Sequence, residues 1–316
     1  MISFYEAIKA RYLNRFMPLS SKKKAAELLD FRNLLQTKIA YANSGANHQV
    51  LGFRADDYLR ASFHEVMRYS SRGLISYNDF CIHAQEVSRS WRYVTLYYSL
   101  YFFIISFGRM AGRSVIYLDD QEARGLSILI SSLTRSNINL GSGNYLLALD
   151  KPSDSLATRE FAEIVISKLS SRTHETAWNQ FHLLLQSWKH DFSGRGLATV
   201  AGMMNCLKHS SSVFSETRNR VNYRGVFALK EIDKAIVHLG SDKLSMSIEE
   251  LDREVATIQG RLSSEADVMQ AAHSLGAYFY CCHSLAFRDL LNGQPHPGTH
   301  YIKSLINQIG LSRSAQ

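Results

Sequence analysis

The chain has 316 residues, 46% of them hydrophobic and 20% charged. This balance excludes extended disorder and suits one large domain or two of ordinary size. Lysine and arginine outnumber aspartate and glutamate by 36 to 28, a formal net charge of +8. Such a surplus favours a polyanionic partner, because neutralising phosphates releases counterions. The four cysteines, Cys81, Cys206, Cys281 and Cys282, follow neither disulfide-framework nor zinc-ligand spacing. They are expected to be reduced and buried, as in a cytoplasmic protein. The N-terminal text MISFYEAIKARYLNRF mixes charges into an amphipathic pattern, unlike a signal peptide. The longest apolar run, Leu96 to Phe107, covers 12 residues and contains two serines, whereas a membrane helix needs about 20. No membrane association is expected.

Proline, which breaks helix interiors, occurs only at Pro18, Pro152, Pro295 and Pro297, leaving long spans open to helices. Phe4, Ile8, Tyr12 and Phe16 recur every four residues and predict a first helix that Pro18 ends. Ser21 is placed to cap a second helix over about 22–42, followed by a loop at 43–47. A third helix is expected over about 56–69. The stretch 70–78, which contains Gly73, reads as a loop and a soft domain boundary. From 79 to 111 the text is apolar nearly all round, the pattern of a central bundle helix.

After Gly112, SVIYL reads as one short strand. Helices are expected at about 120–135, 155–171 and 174–190, separated by the loops SNINLGSGN and DKPSDS. A helix over about 197–224 places Val200, Met204, Leu207, Ser211, Phe214, Arg218 and Val221 on one face. Ser247 and Glu250 form an S-x-x-E capping box. Ile248, Leu251, Val255, Ile258 and Leu262, then Val268, Ala272, Leu275, Phe279, Cys282 and Ala286, predict a helical hairpin packed internally. The expected fold class is therefore all-α, a multi-helix bundle. It divides into an N-terminal helical segment (1–75), a helical domain (76–240) and a C-terminal hairpin segment (241–316).

No phosphate-binding loop, dinucleotide fingerprint, nucleophile elbow or H-E-x-x-H zinc motif is present. His182 and His190 share a helix face without a third ligand, so no metal and no cofactor are expected. One segment stands out: Glu216-Thr217-Arg218-Asn219-Arg220-Val221-Asn222-Tyr223-Arg224. On a helix, Arg218 and Asn222 are four apart, as are Asn219 and Tyr223, so these side chains make one polar patch. Arg218 also continues an apolar face, where burial costs desolvation unless it meets a partner or serves a site. The plain alternative is a helix end pinned by an ion pair of Arg218 with Glu216 or a remote carboxylate.

Arg218-Asn219, three residues and then an aromatic resemble the R-N-x-x-x-H signature of HEPN domains, helical bundles of prokaryotic toxin and defence proteins. The aromatic text RYVTLYYSLYFFIISFGRMAG is similar to an early helix of that family, and the order of the two features agrees. The resemblance covers about 76–240, leaving additional helices on both sides of a HEPN-like core. It implies a homodimer or a heteromeric complex in which paired helices cut RNA without a metal, the ribose 2′-hydroxyl attacking the neighbouring phosphate. By this resemblance Arg218 stabilises the phosphate, Asn219 orients the histidine, and Tyr223 stands in the histidine's position. Arg220, Asn222 and Arg224 would add nucleic-acid contacts. A phenol, with a pKa of about 10, donates a proton at neutral pH but is a poor base. Tyr223 therefore acts as an acid or positioner in a slower nuclease, or a histidine from elsewhere completes the site, or the domain is a catalytically dead binding or assembly module. Of the histidines nearby in sequence, His209 lies two to three turns away on the expected helix, while His174 and His190 lie on neighbouring ones.

Three functions follow. The first is an endoribonuclease effector of a toxin–antitoxin or antiviral system. The second is a non-enzymatic adaptor or regulatory subunit of an anti-phage complex with an ATPase or nuclease partner. The third is a helical nucleic-acid-binding module.

Overall fold

The computed structural model describes residues 3–16, 29–45, 48–82, 89–150, 156, 159–170, 173–207, 213–223, 239, 241–258, 262 and 264–292. The first helix, α1 (Phe4–Ile8), begins at a Ser3 cap and continues as a π turn (Lys9–Leu13) and a 3-10 turn (Asn14–Phe16). After α2 (Phe31–Thr37), capped by the Asp30 carboxylate, come strands β1 (Ile39–Ser44) and β2 (Gln49–Arg54). Two long helices follow, α3 (Ala55–Ile82) and α4 (Arg89–Met110), then β3 (Arg113–Leu118) and α5 (Asp120–Thr134). Strands β4 (Gly143–Leu149) and β5 (Phe161–Leu169) precede α6 (Thr173–Trp188), α7 (Gly194–Leu207) and α8 (Val213–Tyr223). The chain returns through α9 (Ile248–Ala256) and α10 (Glu265–Asn292).

The all-α expectation is overturned. The five strands form one antiparallel sheet in the order β1-β2-β5-β4-β3, so the architecture is mixed: a mostly helical body with a sheet laid against it. SVIYL falls within β3 as expected. Of the second expected helix, 31–37 are helical as α2, 22–28 lie outside the described residues and 39–42 belong to β1, while the sixth gives way to β5. In β5, Ala162, Ile164 and Ile166 are buried while Phe161, Glu163 and Val165 are half-buried. That alternation is the two-residue period of a strand with one face on a core. Leu51 pairs with Ile164, and Leu147 with Ile166, so cross-strand neighbours fill the same inner layer. On the outer face Tyr41 lies over Gly52, where an added Cβ would come within 2.2 Å of the ring, and its hydroxyl donates to Glu163 Oε1 at 2.8 Å.

The loop expected at 70–78 is helix instead, because α3 runs unbroken through it. Gly73 is a contact point here. A Cβ on it would lie 2.6 Å from the Phe103 ring of α4, so glycine lets the two helices approach closely. The expected helix over 197–224 is described as two, α7 and α8, with 208–212 outside the described residues. They pack differently, α7 on α6 and α9, α8 on α4 and α10.

The capping box of Ser247 and Glu250 opens α9 as expected. Leu251, Val255, Val268, Ala272, Leu275, Phe279, Cys282 and Ala286 are all buried, so the hairpin packs inward. Asp252 is buried there, accepting from Thr199 Oγ1 of α7 and from the Tyr278 hydroxyl of α10, each at 2.8 Å. A buried carboxylate held by two hydroxyls ties three helices into one body. Among the described residues, no helix is long and apolar enough to cross a membrane.

Candidate functional site

The aromatic text of α4 repeats tyrosine at 93, 97 and 101, spacings of four that put all three rings along one helix face. Tyr93 and Tyr97 are fully buried and Tyr101 nearly so. Tyr93 donates its hydroxyl to the Phe214 carbonyl at 3.1 Å, and Phe214 packs on Trp178 with ring centroids 5.4 Å apart. These contacts pin α8 against α4 and α6, and Arg218, one turn beyond Phe214, lands on the same tyrosines.

The guanidinium carbon of Arg218 lies 5.2 Å from the Tyr97 ring centroid and 5.8 Å from that of Tyr98, within cation–π range. Among the described residues no carboxylate pairs with Arg218, and its Nε has no hydrogen-bond partner. The ion-pair alternative therefore finds no partner among them. The ring faces offset the charge only in part, and the buried Nε is left without a partner.

Beside it sits His174, at the first turn of α6. Its ring lies 4.3 Å from the Tyr101 centroid at 32°, and its Nδ1 is 2.9 Å from the Tyr97 hydroxyl. That hydroxyl is also 2.8 Å from Ser215 Oγ. Burial, and secondarily the charge of Arg218, push the imidazole down to about 4, so it is neutral at physiological pH. A neutral imidazole has one donor and one acceptor nitrogen. If Tyr97 donates to Ser215, Nδ1–H donates to the phenol oxygen and Nε2 becomes the accepting nitrogen. If Tyr97 donates to Nδ1, Nε2 carries the proton. The Ser215–Tyr97–His174 chain thus selects the tautomer.

Asn219 is exposed and Arg220 half-buried. The side chains of Asn222 and Tyr223, and all of Arg224, lie outside the described residues, as does His209. His190 is exposed in the 3-10 turn after α6. Of the two described histidines weighed to complete the motif, His174 is placed beside Arg218. Sequence reasoning missed Tyr97, Tyr98, Tyr101 and Ser215. The signal for the tyrosines was their four-residue spacing, which reads equally well as core packing.

A second histidine has similar surroundings in the interior. His283 of α10 is fully buried, stacked on Phe103 with centroids 4.7 Å apart and tilted against Phe107 at 4.5 Å. Its Nδ1 is 2.9 Å from Ser70 Oγ, which is in turn 2.8 Å from Ser106 Oγ. Burial pushes it down to about 3. Among the described residues, no group of three or more His, Cys, Asp or Glu side chains is placed to hold a metal ion. No family model, no curated protein and no solved structure matches this chain.

Proposed function

We propose that the chain is a HEPN-like RNA-processing effector of a prokaryotic defence or toxin–antitoxin system, cutting RNA without a metal. The observation that carries this reading is Arg218, unpaired with any described carboxylate, set on two tyrosine rings beside a neutral histidine. His174 then supplies the imidazole that the motif lacks at Tyr223. Its Nε2 takes the proton of a ribose 2′-hydroxyl while the 2′-oxygen bonds to the neighbouring phosphorus. The bond from phosphorus to the 5′-oxygen breaks, and that oxygen leaves as a hydroxyl after taking a proton from water, while His174 returns its own proton to solvent. The products are a 2′,3′-cyclic phosphate and a 5′-hydroxyl end. Arg218 binds the phosphate as negative charge builds on its oxygens, the kind of fixed stabilisation that enzymes use most heavily.

A second reading, a non-enzymatic subunit of a defence complex, draws on Tyr223 standing where the family has its catalytic histidine. Purified chain incubated with tRNA or mRNA in the presence of EDTA separates the two. Cleavage that yields cyclic-phosphate ends and disappears in Arg218→Ala supports the nuclease. Cleavage that survives Arg218→Ala, or none at all, defeats it.

A further inference from the structure

We infer that the α3–α4 surface beside Arg218 is a track for single-stranded RNA, its bases stacking on Tyr98 and Phe102 and its phosphates meeting Arg218 and Arg72. This inference rests on the proposed RNA reading and extends it away from the scissile position.

The helix α4 has no polar face in its sequence, yet it is not wholly covered. Tyr98 and Phe102, one turn apart, are half-buried, with ring centroids 6.1 Å apart and planes tilted by 32°. Tyr69 of α3, also half-buried, extends the row, its centroid 6.3 Å from that of Phe102. Three neighbouring aromatic rings left partly open form a platform, and sequence-tolerant stacking of bases on such rings is how single strands are held.

One end of the platform and its middle ring each carry a cation. Arg218 stands 5.8 Å from the Tyr98 centroid, and the exposed Arg72 stands 5.9 Å from that of Phe102. Neither pairs with a described carboxylate. His174 meets Tyr98 edge-on, with centroids 6.0 Å apart at 69°, so the track leads to the candidate site. Guanidinium groups on half-buried rings, in a chain of net charge +8, suit a partner that brings both anions and π faces. A single strand brings both. A duplex hides its base faces, and an acidic peptide would use the arginines without the rings.

The test uses the full chain and a fluorescent 2′-O-methyl oligouridylate, which lacks the attacking hydroxyl and cannot be cut. Anisotropy is expected to show binding that weakens with salt. Phe102→Ala should weaken it about tenfold, within the range for loss of one stacked base. Arg72→Ala, at an exposed position where the fold is not at stake, should weaken it several-fold and shallow the salt slope by up to about 0.7. Ile128→Ser, on the exposed face of α5, should change nothing. Wild-type affinity in both Phe102→Ala and Arg72→Ala would overturn the track while leaving Arg218-dependent cleavage, and hence the proposed function, intact. Failure of the wild-type chain to bind the oligomer would overturn the track too, leaving the face to a protein partner. If no RNA is cut either, the proposed function falls with it.

Discussion

His174 and His283 are built alike and placed differently. Each imidazole has a hydroxyl 2.9 Å from Nδ1 and an aromatic ring within 5 Å, and each is held well below the ordinary value. His283, however, is sealed between α3, α4 and α10, with hydroxyls and phenylalanines for company. His174 sits half-buried beside a guanidinium. A depressed histidine therefore reports burial first. What marks out a site is burial together with access and a neighbouring cation.

The comparison can be broken by substituting each histidine in turn. His174→Ala is expected to lower cleavage by about 10²–10⁴-fold, the usual worth of a positioned acid–base group, while the melting temperature changes little. His283→Ala should do the opposite. It leaves a cavity between Phe103 and Phe107 and removes one of the two hydrogen-bond partners of the Ser70 hydroxyl, costing about 2–4 kcal/mol of stability, and cleavage at a permissive temperature should persist. Urea denaturation and RNA cleavage on the same preparations would check both. A destabilised His174→Ala with full cleavage would erase the distinction.

A smaller effect concerns pH. In the unfolded chain both imidazoles take up protons near 6.5, whereas in the fold they stay neutral down to about 4 and about 3. Between those values the unfolded state binds more protons, so folding stability is lost as pH falls from about 6.5 towards 4. Denaturation midpoints at pH 7.5, 6 and 5 should decline in that order, and His283→Gln should flatten the decline. A midpoint independent of pH over this range would contradict the neutral assignment.

Parts of this molecule governed by neighbours in sequence were legible from the text. The Ser247–Glu250 box and the buried face of α10 follow from residues three and four apart, and both stand as read. The sheet was not legible in that way. Ile164-Val165-Ile166 is an apolar run whose strand character depends on partners in β2 and β4, and β2 lies more than a hundred residues earlier. Gly73 reads as a chain breaker until Phe103, thirty residues on, shows why a small residue is needed. Likewise Arg218 was visible as an oddity on an apolar face. Its approach to His174 depends on α6 and α8 both packing on α4, which no local pattern encodes.

The antiparallel pairing of β2 with β5 also has a consequence in time. Gln49 waits for Ile166, and at ribosomal rates the chain between them takes roughly 6–23 s to emerge. Until then the β2 edge of the β1–β2 hairpin stays unpaired, the kind of template that invites wrong partners. Closing so long a loop is entropically slow. During synthesis, then, a nascent chain stalled before β5 leaves the inner edge of its first hairpin open to other chains.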